Sequence, residues 1–258
     1  MDDRFSMKGR NAIVTGATRG IGLAIARGFL ESGATVTLCA RKQEGVDAAL
    51  TDLADHAGTD HSANVLGVAA HVGKTADVER LIAAAEERFG SVNVLVNNAG
   101  TNPYYGPIAE SEDWAWDKTM DVNLRGPYLL SRRAGVKMMA GGGGSIVNIS
   151  SVAGLEAASG QGIYSVTKAG LIMLTKVMAR EMGAAGVRVN CICPGVIRTR
   201  LSRALWDDEK TAKAWIGRKA LGRVGEVDEL IGAAIYFASE ASSFTTGAVL
   251  QVDGGMVI

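Results

Sequence analysis

The chain has few cysteines: Cys39, Cys191 and Cys193 in 258 residues. An odd count, with two of the three in one apolar run, argues against a disulfide framework and predicts buried, reduced thiols in a cytoplasmic protein. Cys191 and Cys193 share one face of a predicted strand, but no His or second Cys pair accompanies them. No metal is therefore expected, and buried packing explains them better. Excess charge is also missing, since Lys+Arg and Asp+Glu stand at 27 each. A nucleic-acid partner would call for a basic excess, so none is expected. No apolar run reaches the roughly 18 residues that span a bilayer, so no membrane partner is expected. The opening MDDRFSMKGR lacks the apolar stretch of a secretory signal. The closing GGMVI is neither a peroxisomal tripeptide nor a lipidation box.

What is present is a regular alternation. Hydrophobic residues make up 47% of the chain, enough for one full core, and the length fits a single domain over residues 1–258. Short β-branched runs read as strands: NAIVTGA, ATVTLCAR, NVLGVAAHV, VNVLVNNAG, GGGGSIVNISS, VRVNCICPG and VLQVDGG. Longer amphipathic stretches separate the first six, including one from about Trp114 to Met139 and one from Gly162 to Gly183. The strands are apolar throughout, as expected when helices cover both faces. The expected fold is α/β: a single-domain, doubly wound, Rossmann-type sheet of seven parallel strands with helices on both faces. One connection, residues 195–225, is long and has no strand. It holds Leu201, Leu205, Trp206 and Trp215. It reads as a substrate loop or lid, or alternatively as a surface helix pair burying those groups.

The first strand runs into TGATRGIG. Gly16, Gly20 and Gly22 stand at the strand-to-helix turn, where glycine lets the backbone approach a pyrophosphate and the helix start offers free N–H groups. The spacing is G-x-x-x-G-x-G rather than the commoner G-x-G-x-x-G, and alone such a trio is equally a structural turn. Its place after the first strand of a parallel sheet favours dinucleotide binding. An acid at the end of strand two would accept a ribose 2′-hydroxyl. Here stand Ala40, Arg41 and Lys42. Arg41, helped by Arg19, suits a 2′-phosphate instead, so NADP(H) is expected in preference to NAD(H).

Strand four ends in NNAG and strand five in NISS, so Asn98 and Ser151 lie on the same sheet edge as the glycine loop. Tyr164 and Lys168 are one turn apart on the following helix. A free tyrosine is a poor acid–base group at neutral pH, and a nearby ammonium is expected to lower its pKa toward the working range. Taken alone, the pair is an ordinary i,i+4 polar pair. Its occurrence together with the glycine loop, Asn98 and Ser151 is what points to chemistry.

The motifs TGATRGIG, NNAG, DVNL, NISS, YSVTK, RVNCICPGVIRT and TGAVLQVDGG span nearly the whole chain. Together they resemble the short-chain dehydrogenase/reductase family. The pieces CARKQ, AAHVGK, NNAGTNPYYG and SRALW look closer to its NADP-dependent carbonyl and retinol reductases. Similarity to bacterial 3-oxoacyl-carrier-protein reductases is also evident.

The resemblance implies that Tyr164 protonates the carbonyl oxygen during reduction. Ser151 would hold that oxygen, Lys168 would tune Tyr164 and hold the nicotinamide ribose, and Asn123 would hold a relay water. It further implies that Gly16, Thr18, Arg19, Gly20, Ile21 and Gly22 take the pyrophosphate side, and that Arg41 takes the 2′-phosphate. Asn98 and Gly100 would meet the adenosine ribose side, and Pro194, Gly195, Ile197 and Thr199 the nicotinamide. Many relatives carry Asp after strand three to bind adenine; here His71 and Val72 stand there, leaving a backbone contact from Val72.

The activity implied is reversible reduction of a small-molecule carbonyl to an alcohol. A 3-oxoacyl-thioester reductase and a non-catalytic NADP-sensing scaffold are the alternatives. Tyr104, Tyr105, Leu155, Ile163 and Trp206 flank Ser151 and Tyr164 in the sequence and are expected to line the substrate pocket. Arg125, Arg132 and Arg133 leave an acyl-carrier-protein dock open. The resemblance also implies a homotetramer, with the long helix after Trp114 and the apolar face of the Tyr164 helix supplying the dimer surface.

Overall fold

The computed structural model describes residues 3–54, 60–207, 213 and 215–257. Its strands are β1 (Asn11–Thr15), β2 (Thr35–Ala40), β3 (Val65–Ala69), β4 (Val94–Asn97), β5 (Gly144–Ile149), β6 (Val187–Pro194) and β7 (Val249–Val252). They form one sheet in the order β3-β2-β1-β4-β5-β6-β7, and every neighbouring pair is parallel. Each of the seven predicted runs contains one of these strands.

The helices are α1 (Gly20–Glu31), α2 (Gln43–Ala54), α3 (Thr75–Phe89), α4 (Asp113–Met120), α5 (Gly126–Ala140), α6 (Gly162–Met182) and α7 (Ile231–Ala238). Alternate residues of each strand feed opposite cores. On one face Ala12 and Val14 pack with Ile25 and Phe29 of α1, Val46 of α2 and Phe237 of α7. On the other face Ile13 packs with Leu81 of α3, Leu130 of α5 and Met178 of α6. Phe29 and Phe237 are among the largest fully buried side chains. Burying each is worth about 1.5–3 kcal/mol relative to exposure.

Two elements differ from the sequence reading. Helix α7 was given no element there. Its residues are apolar nearly all round, so no amphipathic period marks it. Its core contacts come from Ala234, Phe237 and Ala238, all buried. The long helix after Trp114 is also not uniform. A π-helical turn, Asp121–Arg125, joins α4 to α5.

The strand order reverses between β1 and β4, which places a crevice at their carboxyl ends. The loops after β1, β4, β5 and β6 converge there. Among the described residues, no helix is long and apolar enough to cross a membrane, and no group of three acidic, His or Cys residues is placed to hold a metal. The three thiols are free and buried, with Cys191 and Cys193 sulfurs 3.9 Å apart. Large apolar side chains stay exposed on α4 and α5 (Trp114, Trp116, Tyr128, Val136) and on α6 (Val166, Met173, Val177).

Candidate active site

The glycine loop is built by steric demand. Gly16 has φ +63° and Gly20 φ +58°, both in the left-handed region. A Cβ on Gly16 would stand 2.8 Å from the Ala99 Cα. Gly22 sits against the Asn98 carboxamide, and a Cβ there would also meet the Gly16 carbonyl at 2.6 Å. Asn98 holds the loop from the neighbouring strand. Its Nδ2 donates to the carbonyls of Thr15 (2.9 Å) and Gly16 (3.1 Å). The Thr15 hydroxyl in turn accepts from the Asn98 and Ala99 N–H groups, each at 3.0 Å. Asn98 is thus a prop of the loop, with its amide nitrogen already committed. Thr18 lies beside the start of α2, Ile21 packs against the core, and Thr199 sits next to Gly20.

The donor set fits a dinucleotide. The start of α1 shows no side-chain cap, so its first N–H groups face the loop's concavity unspent by one. Arg19, Arg41 and Lys42 are exposed, and among the described residues neither arginine is ion-paired. His71 has its pKa lowered, first by burial and then by Lys118, so it stays neutral at neutral pH. Its Nδ1 accepts from the Gly73 N–H at 3.1 Å. Val72 is buried and packs against Gly126.

Behind this loop lie the four residues of the expected catalytic set. Ser151 follows β5, and its hydroxyl accepts from the Ala153 N–H at 3.1 Å, starting a short 3-10 turn. Tyr164 and Lys168 project from the first turns of α6. Lys168 is 4% exposed, and its Nζ donates to the Ile149 carbonyl at 2.7 Å. Burial pushes its pKa down to about 8. The ammonium lies 5.5 Å from the centroid of the Tyr164 ring. Tyr164 keeps some accessible surface, yet packing around its hydroxyl raises its pKa to about 12, and a hydrogen-bonding contact with Ser151 offsets part of the rise. The sequence expectation was the opposite direction, a phenol lowered by Lys168. Burial outweighs it, and the Lys168 charge is placed on a carbonyl and the ring face.

Asn123 is fully buried in the π-helical turn. Its Oδ1 accepts from the Thr101 N–H and its Nδ2 donates to the Thr101 carbonyl, both at 2.8 Å. A third contact reaches the Thr167 hydroxyl at 3.2 Å. This clamp fixes the segment after β4. A Cβ on Gly100 would lie within 3.8 Å of both Asn123 Oδ1 and Lys168 Nζ, so the three come together.

The 195–225 segment returns on itself. Arg198 N–H donates to the Gly225 carbonyl at 2.8 Å, and Gly225 N–H to Val196 at 3.1 Å. Its residues 208–212 and 214 lie outside the described residues. Gly195 packs against Asp253, and Ile197 is buried in the core. Pro194 ends β6 in register with Val252.

A cavity opens over Ser151. It is lined by Glu156, Gln161, Val196, Leu205, Trp215 and Arg218, with Met256 and Val257 closing one side. Ser151 lines this cavity, whereas Tyr104, Tyr105, Leu155, Ile163 and Trp206, the five side chains expected around it, do not. The Tyr104 hydroxyl is bonded to the Pro107 carbonyl at 2.8 Å. Ile163 is buried, Leu155 is largely exposed, and Trp206 lies under the Arg198 guanidinium at 4.8 Å. Tyr105 reaches the Leu201 carbonyl at 3.3 Å and bridges to the 195–225 segment. Gln161, Glu156 and Arg218 were missed by the sequence reading. Gln161 was findable, lying three residues before Tyr164. Arg218 comes from a distant loop and carries no local signal. Of the three arginines that left an acyl-carrier-protein dock open, Arg125 pairs with Asp121 and Arg133 with Glu79, each at 2.9 Å.

A family model described as enoyl-(acyl carrier protein) reductase matches residues 16–257. The chain is 38% identical over 255 residues to human dehydrogenase/reductase SDR family member 4, covering 99% of this chain and 90% of that protein. The rabbit protein of the same name is also 38% identical, over 252 residues, covering 98% and 95%. A gluconate 5-dehydrogenase from Burkholderia cenocepacia, solved with NADP and tartrate, superposes with TM-score 0.92 at 38% identity, covering 98% and 97%. A putative gluconate dehydrogenase from Agrobacterium tumefaciens gives 0.92 at 32%, covering 99% of each chain. Glycine loop, polar quartet and parallel sheet thus meet in one chain that belongs to the short-chain dehydrogenase/reductase family and is an oxidoreductase.

Proposed function

We propose that the protein reduces a small-molecule carbonyl to an alcohol with NADPH, reversibly. The observation that carries this reading is the convergence of Ser151, Tyr164 and Lys168 beside an open cavity and a glycine loop. When bound, the nicotinamide supplies the hydride. Gly16, Gly20, Gly22 and the start of α1 would hold the pyrophosphate. Arg41 and Arg19 would hold a 2′-phosphate, and the lack of an acid at Ala40–Lys42 supports NADP(H) over NAD(H).

The chain's own residues carry the rest. The Ser151 hydroxyl donates to the substrate oxygen and stabilises its developing charge. The Tyr164 hydroxyl delivers the proton to that oxygen, and its pKa of about 12 keeps it protonated through the neutral range. Lys168 presents its charge to the Tyr164 ring and to the ribose side of the cofactor site. Asn123, by clamping Thr101, holds the wall opposite Lys168. Residues 195–225 act as the substrate loop within one domain.

Exposed apolar side chains on α4, α5 and α6 support a homotetramer. Three free buried thiols support a cytoplasmic setting. The test is NADPH consumption over ketones, aldehydes, quinones and β-keto thioesters. Turnover of free carbonyls supports the reading. Turnover of thioesters alone replaces it with a 3-oxoacyl reductase, and no turnover in wild type or Tyr164→Phe leaves only a sensing scaffold.

A further inference from the structure

Gln161 is 6% exposed and stands immediately before α6, one turn ahead of Tyr164. Its Oε1 receives a long contact from Asn102 Nδ2 at 3.5 Å. Its Nε2 has no partner among the described residues, yet it is not among the sealed, unpartnered atoms of the interior. The side chain lines the cavity over Ser151. An amide donor that opens on a cavity without a protein partner is free to bond a ligand there.

The backbone on both sides is fixed. Gln161 N–H donates to Ala158 and its carbonyl accepts from Ser165 N–H at 2.8 Å. It also bridges to Gly106 across the loop. Asn102 follows Thr101, which Asn123 clamps from both its N–H and its carbonyl. The cavity's two charged groups neutralise each other, Arg218 pairing with Glu156 at 2.9 Å. The remaining walls include Val152, Val196, Leu205 and Trp215. Among these walls the Gln161 amide is a donor without a protein partner among the described residues. Gln161 and Ser151 line the same cavity, so both side chains border the space a ligand held at Ser151 would fill.

We propose that Gln161 is a specificity-determining residue. Its carboxamide selects neutral carbonyl compounds that carry a hydrogen-bonding oxygen on the carbon next to the one reduced. The proposal rests on the carbonyl-reductase reading above. The discriminating pair is 1-hydroxy-2-butanone and 2-butanone, compared by kcat/KM in NADPH consumption. Wild type is expected to favour the hydroxy ketone by about tenfold or more, and Gln161→Leu to lower that ratio by about tenfold. If Gln161→Leu does not fold, Gln161→Asn, which retracts the same amide by one methylene, is read on the same ratio. A wild-type ratio near one, or a ratio unchanged in a folded variant whatever the absolute rates, overturns the proposal and leaves the carbonyl-reductase reading standing. Failure of wild type to reduce any carbonyl removes that reading, and this one with it.

Discussion

Lys168 lies against the face of the Tyr164 ring, 5.5 Å from its centroid, and gives its hydrogen bond to the Ile149 carbonyl rather than to the phenol. The pair is therefore arranged as a protonated acid beside a buried cation. Burial raises the one to about 12 and lowers the other to about 8. That arrangement favours giving a proton over taking one.

Replacing Tyr164 by Phe removes the donor and little else. Turnover is expected to fall by roughly 100- to 10,000-fold. NADPH affinity, read by fluorescence titration, is expected to stay within a few-fold. Near-full rate in the variant would remove Tyr164 from the proton step.

The alkaline limb of activity belongs to Lys168. Its charge is present below about 8 and lost above, while Tyr164 remains protonated to about 12. For reduction, kcat/KM is expected to be flat on the acid side of this transition and to fall as pH rises through about 8. Lys168→Arg, whatever its rate, should show no limb there. The sign for stability is opposite. The folded pKa lies below the ordinary lysine value of 10.5, so the unfolded chain binds more protons between about 8 and 10.5. Stability relative to Lys168→Met should rise with pH across that window, as chemical denaturation at each pH would read.

On the proposed reading, cofactor choice rests on Arg41. Arg41→Asp places a carboxylate where the 2′-phosphate is expected and lets it accept a ribose hydroxyl instead. The NADPH-to-NADH ratio of kcat/KM is expected to fall by about tenfold or more. An unchanged ratio would put the phosphate elsewhere.

Gly22 has no room to grow. A Cβ there meets the Asn98 carboxamide and the Gly16 carbonyl together. Gly22→Ala is expected to lose about 1–3 kcal/mol of stability and to weaken cofactor binding, since the loop must open to admit the methyl. Thermal unfolding and NADPH titration check the two effects separately.

The sheet could be read from the sequence because each strand is a short apolar run covered on both faces, and TGATRGIG, NISS and YSVTK each lie within a few residues of a strand or helix end. Helix α7 was not legible, because an all-apolar helix has no period to detect. The substrate side was the least legible. Ile163 sits on the buried face of α6 and Trp206 stacks under Arg198, whereas Trp215 and Arg218 reach the cavity from the returning loop. Which side chains of an irregular connection turn inward depends on contacts such as Arg218 with Glu156, and those join residues far apart in the chain. The direction of the Tyr164 shift failed for a related reason: spacing along a helix reports proximity, but not burial.

The π-helical turn at Asp121–Arg125 carries a lesson for engineering. Each residue advances a helix by about 100°, so one inserted residue re-aims everything after it. Deleting one residue there would repair the helix and rotate α5 out of register with α4. Leu129 and Leu130 would leave the core, or Asn123 would leave Thr101. A redesign that idealised this helix for stability would thus dismantle the Asn123–Thr101 clamp of the candidate site. Alignment gaps falling in this stretch would mark relatives whose site is built differently.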